Sequence, residues 1–173
     1  MAAPSEILAL APLKLVPGDG RRLELDVPLD DMVFGEDTYA ATPGVVPVVL
    51  DLSRMTGGGW ALRLRFEGTL SGPCMRCLEP ASPTTAVDTR EVDAPGGGEE
   101  LQSPYVDADE ETLDLRAWVR DSYALALPAQ VICRADCAGL CPECGENLNE
   151  HPDHVHERPP DPRWNALREI SFE

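Results

Sequence analysis

The six cysteines of this sequence are the residues best placed to do chemistry. Four fall between Cys133 and Cys144, as Cys133, Cys137, Cys141 and Cys144 in C-R-A-D-C-A-G-L-C-P-E-C, followed by Gly145. The other two, Cys74 and Cys77, stand upstream in C-M-R-C. Zn²⁺ prefers four soft ligands in a tetrahedron, and deprotonated cysteine and neutral histidine supply them. In C-x-x-C, two thiolates can sit on one side of a tight turn and point at one ion. Gly145 permits the positive φ that such a turn often needs; Cys74–Cys77 is the same device without the glycine. Two such pairs in one chain point to structural zinc far more strongly than a lone pair.

Other uses of the thiols fit less well. A redox C-x-x-C normally opens a helix whose N-terminus lowers the thiol pKa, but Pro80 closely follows one pair and G-E-N-L-N the other. Disulfides need an oxidising compartment. Ligand counting gives the six cysteines plus His151 and His154, with His156 as a further candidate, and leaves one or two zinc ions open. Cys74, Cys77, Cys133 and Cys137 could surround one ion, with Cys141, Cys144 and two histidines around a second. A single ion could instead take the four clustered thiols or the two C-x-x-C pairs. H-P-D-H-V-H also reads as a solvated acidic tail that happens to contain histidines.

The 173 residues carry 31 acidic and 14 basic side chains, a net charge of −17, and Lys14 is the sole lysine. Such a polyanion repels nucleic acid at long range, and basic proteins are its natural partners. One stretch departs from this: residues 54–90 hold Arg54, Arg63, Arg65, Arg76 and Arg90 against Glu67, Glu79 and Asp88. Arg63, Arg65 and Arg76 are therefore the candidate RNA contacts, although an ordinary solvated strand face explains Arg63 and Arg65 equally simply. The longest apolar runs are too short to span a bilayer. The opening M-A-A-P-S-E lacks the positive region of a secretory signal, so a cytoplasmic location is expected.

The elements that must position the cysteines follow from periodicity. Leu23, Leu25 and Val27 alternate with Glu24 and Asp26, as in a strand with one buried face. Residues 30–42 are polar and read as loop. Residues 45–52 read as a buried strand, in which Pro47 argues for an edge position or a bulge. Gly57, Gly58 and Gly59 read as a hairpin turn. Trp60, Leu62, Leu64 and Phe66 then alternate with Ala61, Arg63, Arg65 and Glu67, in a strand that runs toward Cys74. Residues 84–92 form a return strand, and 93–111 an acidic, flexible connector.

A helix follows, capped by Asp114 and stapled by Leu113 and Trp118. Leu115, Trp118, Val119, Ser122, Leu125 and Ala126 form its apolar stripe, and Pro128 ends it. The chain then enters the cysteine cluster. Asp161 and Pro162 start a short C-terminal helix that docks through Trp164, Leu167 and Ile170.

No G-x-x-x-x-G-K-[ST] and no G-x-S-x-G occurs. All three histidines lie in one short segment, a poor foundation for acid–base catalysis, and a four-thiolate zinc site is closed to substrate. An enzyme is not expected. The competing readings are a zinc-dependent ribonuclease with His151 and His154 near an open metal, and a redox switch at Cys74 and Cys77.

The strings C-M-R-C-L-E-P, L-A-L-P, C-R-A-D-C-A-G-L-C-P-E-C-G-E-N-L-N and D-P-R-W resemble the YceD family of large ribosomal RNA subunit accumulation proteins. The resemblance implies a bacterial or plastid factor for accumulation or processing of 23S rRNA, with no known catalytic residues. It also implies that Cys74 and Cys77 pair with Cys133 and Cys137, leaving Cys141 and Cys144 to a second site.

The expected fold is α+β: an antiparallel β-sheet or partial barrel, one long helix, and a Cys-rich, zinc-binding C-terminal module. The sheet and helix would occupy 1–128 and the module with its docking helix 129–173. The expected partners are a basic ribosomal or rRNA-processing protein and, secondarily, a 23S rRNA precursor, with no membrane and no small-molecule substrate.

Overall fold

The computed structural model describes residues 5–156. The proposed C-terminal helix from Asp161 lies outside them. The chain divides into two compact units, Met1–Cys137 and Ala138–Glu173. Cys133 and Cys137 fall in the first unit, where they pack with Cys74 and Cys77.

The first unit is built from ten strands and one α-helix: β1 (Ile7–Ala9), β2 (Gly20–Pro28), β3 (Met32–Phe34), β4 (Asp37–Thr42), β5 (Val45–Arg54), β6 (Trp60–Pro73), β7 (Pro80–Ala81), β8 (Thr84–Asp93), β9 (Val106–Asp107), β10 (Thr112–Asp114) and α1 (Leu115–Ala126). The main sheet runs β2-β5-β6-β4-β3, with β8 and β7 also on β6. A small second sheet runs β1-β10-β9. All the ladders are antiparallel. The described residues are thus mostly antiparallel sheet with one α-helix.

β6 organises the unit. Its alternation buries Trp60, Leu62, Leu64, Phe66 and Leu70 on one face, as period two requires. β5 adds Val46, Val48, Leu50 and Leu52 to the same core. It is half-buried by alternation, not buried on both faces. Pro47 sits in an interior strand, opposite Asp26 of β2, but the β5–β6 ladder begins only at Val49. The proline therefore lies where the strand has one neighbour.

Residues 30–42 are not a loop. They form the β3–β4 hairpin, with Tyr39 and Ala41 buried. Only two of its residues are drawn into the core, too weak an alternation to stand out among Asp, Glu and Thr. The connector after β8 carries a 3-10 turn at Glu99–Leu101 and then β9.

α1 packs against β8, β2 and β1. Asp114 caps it by accepting from the Ala117 N–H, which satisfies one of the orphan donors of the first turn. Leu113, Leu115, Trp118, Val119 and Tyr123 are buried. Leu125, expected on the apolar stripe, is 87% exposed, and Ala126 is exposed too. Among the described residues the last turn of the helix is thus left uncovered, and the buried stripe ends at Tyr123.

Candidate metal centres

Cys74 and Cys77 lie just beyond the end of β6. The Cys74 N–H donates to the Glu79 carbonyl at 2.7 Å, and the Leu78 N–H to the Cys74 carbonyl at 3.0 Å. The turn so closed places Leu78 at φ +64°. Behind it, the Tyr39 ring lies flat on Gly72 so closely that a Cβ at position 72 would overlap it. This close approach lets β4 support the strand end that carries the cysteines.

The second half of the first cluster arrives from beyond α1. The Met75 N–H donates to the Val131 carbonyl at 2.8 Å, and the Val131 N–H reaches Met75 Sδ at 3.3 Å. Arg76 completes the clasp: its Nε–H donates to Gln130 Oε1 at 3.0 Å and its Nη1 to the Cys137 carbonyl at 3.1 Å. Cys74 Sγ lies 3.8 Å from Cys137 Sγ, and Cys77 Sγ 3.6 Å from Cys133 Sγ. The four sulfurs all fall within 4.8 Å of one another. A tetrahedron with Zn–S near 2.3 Å has sulfur–sulfur edges of about 3.8 Å, so these thiols fit one zinc ion. Cys74, Cys77 and Cys137 are buried and Cys133 is exposed.

The electrostatics of the cluster agree with that fit. Burial pushes the Cys74 thiol up, but hydrogen bonds from the Arg76, Cys77 and Cys133 amides to its sulfur outweigh burial and bring it down to about 6. Burial raises Cys77, and burial with its thiol neighbours takes Cys133 up to about 12. Cys74 is the thiol most ready to ionise, while Cys77 and Cys133 are held as thiols; a divalent cation among them would displace those protons.

The second unit repeats the turn. The Cys141 N–H donates to the Glu146 carbonyl at 2.8 Å, and the Gly145 N–H to the Cys141 carbonyl at 2.9 Å, with Gly145 at φ +77°. A bridge between Leu140 and Asn147 closes the base. Cys141 Sγ lies 3.2 Å from His156 Nε2, Cys144 Sγ 3.3 Å from His154 Nε2, and the two Nε2 atoms are 3.0 Å apart. Edges of about 3.5 Å (S···N) and 3.3 Å (N···N) are expected around zinc, so this set also fits, within a few tenths of an ångström. The Cys144 amide brings the Cys141 thiol down to about 7 against its burial. Either group of four could hold a metal ion.

The histidines differ from expectation. His154 and His156 meet the cysteines, whereas His151 Nε2 lies 3.2 Å from Glu146 Oε1. The turn after Asn147, whose carbonyl accepts from Glu150 and His151, turns His151 aside. His154, whose N–H closes a turn on the His151 carbonyl, and His156 stand two apart and bring both rings to the cysteines, with their centroids 4.7 Å apart. That spacing was the available signal for His156.

Neither cysteine pair opens a helix: β7 follows one, a turn and an isolated bridge follow the other. The helix dipole that commonly activates a redox C-x-x-C is therefore missing at both pairs, and the lowering of Cys74 comes from backbone amides instead.

The three candidate arginines do not stand together. Arg63 makes a two-pronged pair with Asp88, at 2.8 and 2.6 Å, and Arg65 pairs with Asp51 at 2.6 Å, which Arg22 also engages. Arg76 lies beyond the end of β6, about 25 Å along the strand from Arg65, and is held by the clasp.

A family described as "Large ribosomal RNA subunit accumulation protein YceD" matches residues 62–171. The chain belongs to that family, named for the accumulation of large-subunit rRNA and not for an enzymatic activity. It is 37% identical over 111 residues to uncharacterized proteins of Mycobacterium tuberculosis (strain H37Rv) and Mycobacterium bovis, covering 60% of this chain and 53% of each relative. An uncharacterized protein of Mycobacterium leprae is 42% identical over 59 residues, 34% of this chain and 27% of the relative. The chain thus spans about half the length of the first two relatives. No solved structure matches it. Among the described residues no helix is long and apolar enough to cross a membrane.

Proposed function

We propose that this protein is a non-catalytic, zinc-stabilised factor for accumulation or processing of 23S rRNA during large-subunit assembly. The observation that carries the reading is the first cluster: four sulfurs at tetrahedral spacing, three of them buried. Such a cage fills every coordination position with protein and leaves none for substrate. Zinc there is structural. Cys74, Cys77, Cys133 and Cys137 hold it, and it ties the strand end to the segment after α1.

The working surface is acidic, and the partner is a basic ribosomal or rRNA-processing protein in the cytoplasm. The net charge is −17, and Arg63 and Arg65 already face Asp88 and Asp51. Arg63 is matched by a carboxylate of its own and Arg65 shares one with Arg22, while Arg76 spends its donors on Gln130 and the Cys137 carbonyl, so a 23S precursor would have to compete for guanidinium groups already engaged within the fold. The ribonuclease alternative calls for His151 and His154 near an open metal; His154 stands in the second cluster, where His156 takes the fourth position, and His151 faces Glu146.

The test is capture of the tagged protein from its own extract, with and without ribonuclease. A basic protein retained after ribonuclease supports the reading. If everything retained disappears with the RNA, and Arg63→Glu with Arg65→Glu abolishes that retention, the sheet face is the binding surface instead. Metal-dependent cleavage of a precursor fragment by the purified protein would remove the non-catalytic reading.

A further inference from the structure

We propose that Cys141, Cys144, His154 and His156 form a second zinc site whose occupancy decides whether residues 138–156 are folded, and that it surrenders its metal before the Cys74–Cys137 site does. The inference rests on the reading that the cysteine clusters take zinc, and extends it to a site with a different job.

Three observations carry it. The first is a ligand arrangement prepared for metal. His156 points Nε2 at Cys141 while its Nδ1 lies 3.5 Å from Glu143 Oε2. A carboxylate at this ion-pair distance favours the proton on Nδ1 and turns the Nε2 lone pair toward Cys141 and any metal there; carboxylate partners of this kind are common around zinc-bound histidine. Glu143 sits between the two cysteines of the same turn, so the turn supplies both thiolates and the group that orients one imidazole.

The second is what the unit lacks. Among residues 138–156, Gly139 and Cys141 alone are buried, and Val155 is 83% exposed. No apolar core exists among these residues to offset chain entropy. A small unit in that position usually needs a metal or a cross-link, and metal binding is then the same event as folding.

The third is the contrast in protection. At the first site three of four ligands are buried and the clasp of Arg76 and Met75 is anchored on a strand end. At the second, Cys144 and His156 are exposed and His154 is half-buried. Cys144 and His156 are thus open to water and competing chelators, and among the described residues of this unit few buried side chains resist opening.

The experiment uses the full chain purified with zinc and titrated with a chelator. Zinc release and amide hydrogen exchange are followed together. The expected result is two zinc ions per chain, leaving in two steps, the first at a chelator concentration lower by about tenfold or more. Protection of the Cys141, Gly145 and Leu148 amides vanishes with the first step; that of Cys74 and Leu78 survives until the second. A Cys144→Ser, His154→Ala chain is expected to bind one zinc and to show only the later step. In cobalt-substituted protein, the double variant keeps the four-thiolate visible spectrum and loses the mixed sulfur–nitrogen contribution.

Release of both ions in one step overturns the inference. So does protection of residues 138–148 that persists after the first ion has left. A parent chain holding one zinc, lost in Cys74→Ser, overturns the second site alone and leaves the structural-zinc reading standing. No zinc at either site removes both.

Discussion

Leu78 and Gly145 occupy the same place in two copies of one turn. Each follows the second cysteine of a C-x-x-C pair. Each donates its N–H to the carbonyl of the first cysteine, at 3.0 and 2.9 Å, and each has positive φ, +64° and +77°. In both turns the first cysteine's N–H bonds the carbonyl five residues on. Glycine adopts this conformation freely, whereas leucine there costs about 1–2 kcal/mol. At 65% exposure, Leu78 recovers little of that by burial. Leu78→Gly is expected to leave zinc binding intact and to leave stability unchanged or raised by up to about 1 kcal/mol, the strain relief being partly offset by unfolded-state entropy. The β-branched Leu78→Val should lower it. Urea unfolding of the zinc-loaded protein compares the three.

Arg76 is placed to hold the Cys137 segment against the first turn. Arg76→Ala removes the bonds to Gln130 and the Cys137 carbonyl. It is expected to weaken zinc binding at the first site about 10–100-fold, as loss of an outer partner commonly does. Arg76→Lys keeps the charge but not the planar fork and should recover only part. A competition assay with a coloured chelator reads both. Equal affinity in all three proteins would show that the clasp is incidental.

Loading the first site should release protons. Burial holds Cys77 up and Cys133 stands at about 12, so both are thiols at neutral pH, while zinc-bound cysteine is thiolate. At least these two protons leave on binding, and affinity rises with pH. Calorimetry of the Cys144→Ser, His154→Ala chain in buffers of different ionisation enthalpy counts them. A buffer-independent heat would mean that the thiols are ionised beforehand.

The ion pair between α1 and the β2–β3 connection sets an acid limb. The Arg116 guanidinium, 2.7 Å from Asp30, holds that carboxyl below its usual range despite partial burial. A depressed carboxylate stabilises the fold above its unfolded pKa, about 3.9, and that contribution is lost as pH falls through the lower folded value. Asp30→Asn is therefore expected to be less stable than the parent at pH 7 by a margin that disappears below about pH 4. The pair is substantially exposed, so the margin is small. Parallel urea titrations from neutral to acid pH measure the difference directly.

Gly72 is the narrow point behind the first cluster. Any Cβ there meets the Tyr39 ring, which is itself buried. Gly72→Val should destabilise the zinc-loaded fold by about 1–3 kcal/mol through overpacking. Tyr39→Ala should relieve that clash, making the double variant better than the sum of the singles. Additive losses would show that the two residues are not coupled.

What the sequence determined by itself is whatever short-range hydrogen bonding and periodicity decide. Both turns close within six residues, so C-x-x-C with its following residue specifies them, although only the second has the glycine. Asp114, Leu113 and Trp118 mark the start of α1 because capping and stapling operate within one turn. The alternation from Trp60 to Phe66 declares its own buried face. Family strings such as C-M-R-C-L-E-P also identified the YceD likeness.

What only the tertiary structure decided is what meets across long separations. Cys74 finds Cys137 sixty-three residues away through Arg76 and Met75, and no local pattern encodes that clasp. Arg63 and Arg65 read as free cations until strand register sets Asp88 and Asp51 beside them. Leu125 follows the helical period, yet among the described residues it is left exposed while Tyr123 is buried. His151 and His156 are chemically the same; the turn after Asn147 sets one beside Glu146 while the chain beyond a further turn at His151–His154 delivers the other to Cys141. Spacing fixes the shape of each turn, but packing and register choose its partners, because they depend on where distant segments run out of surface to cover.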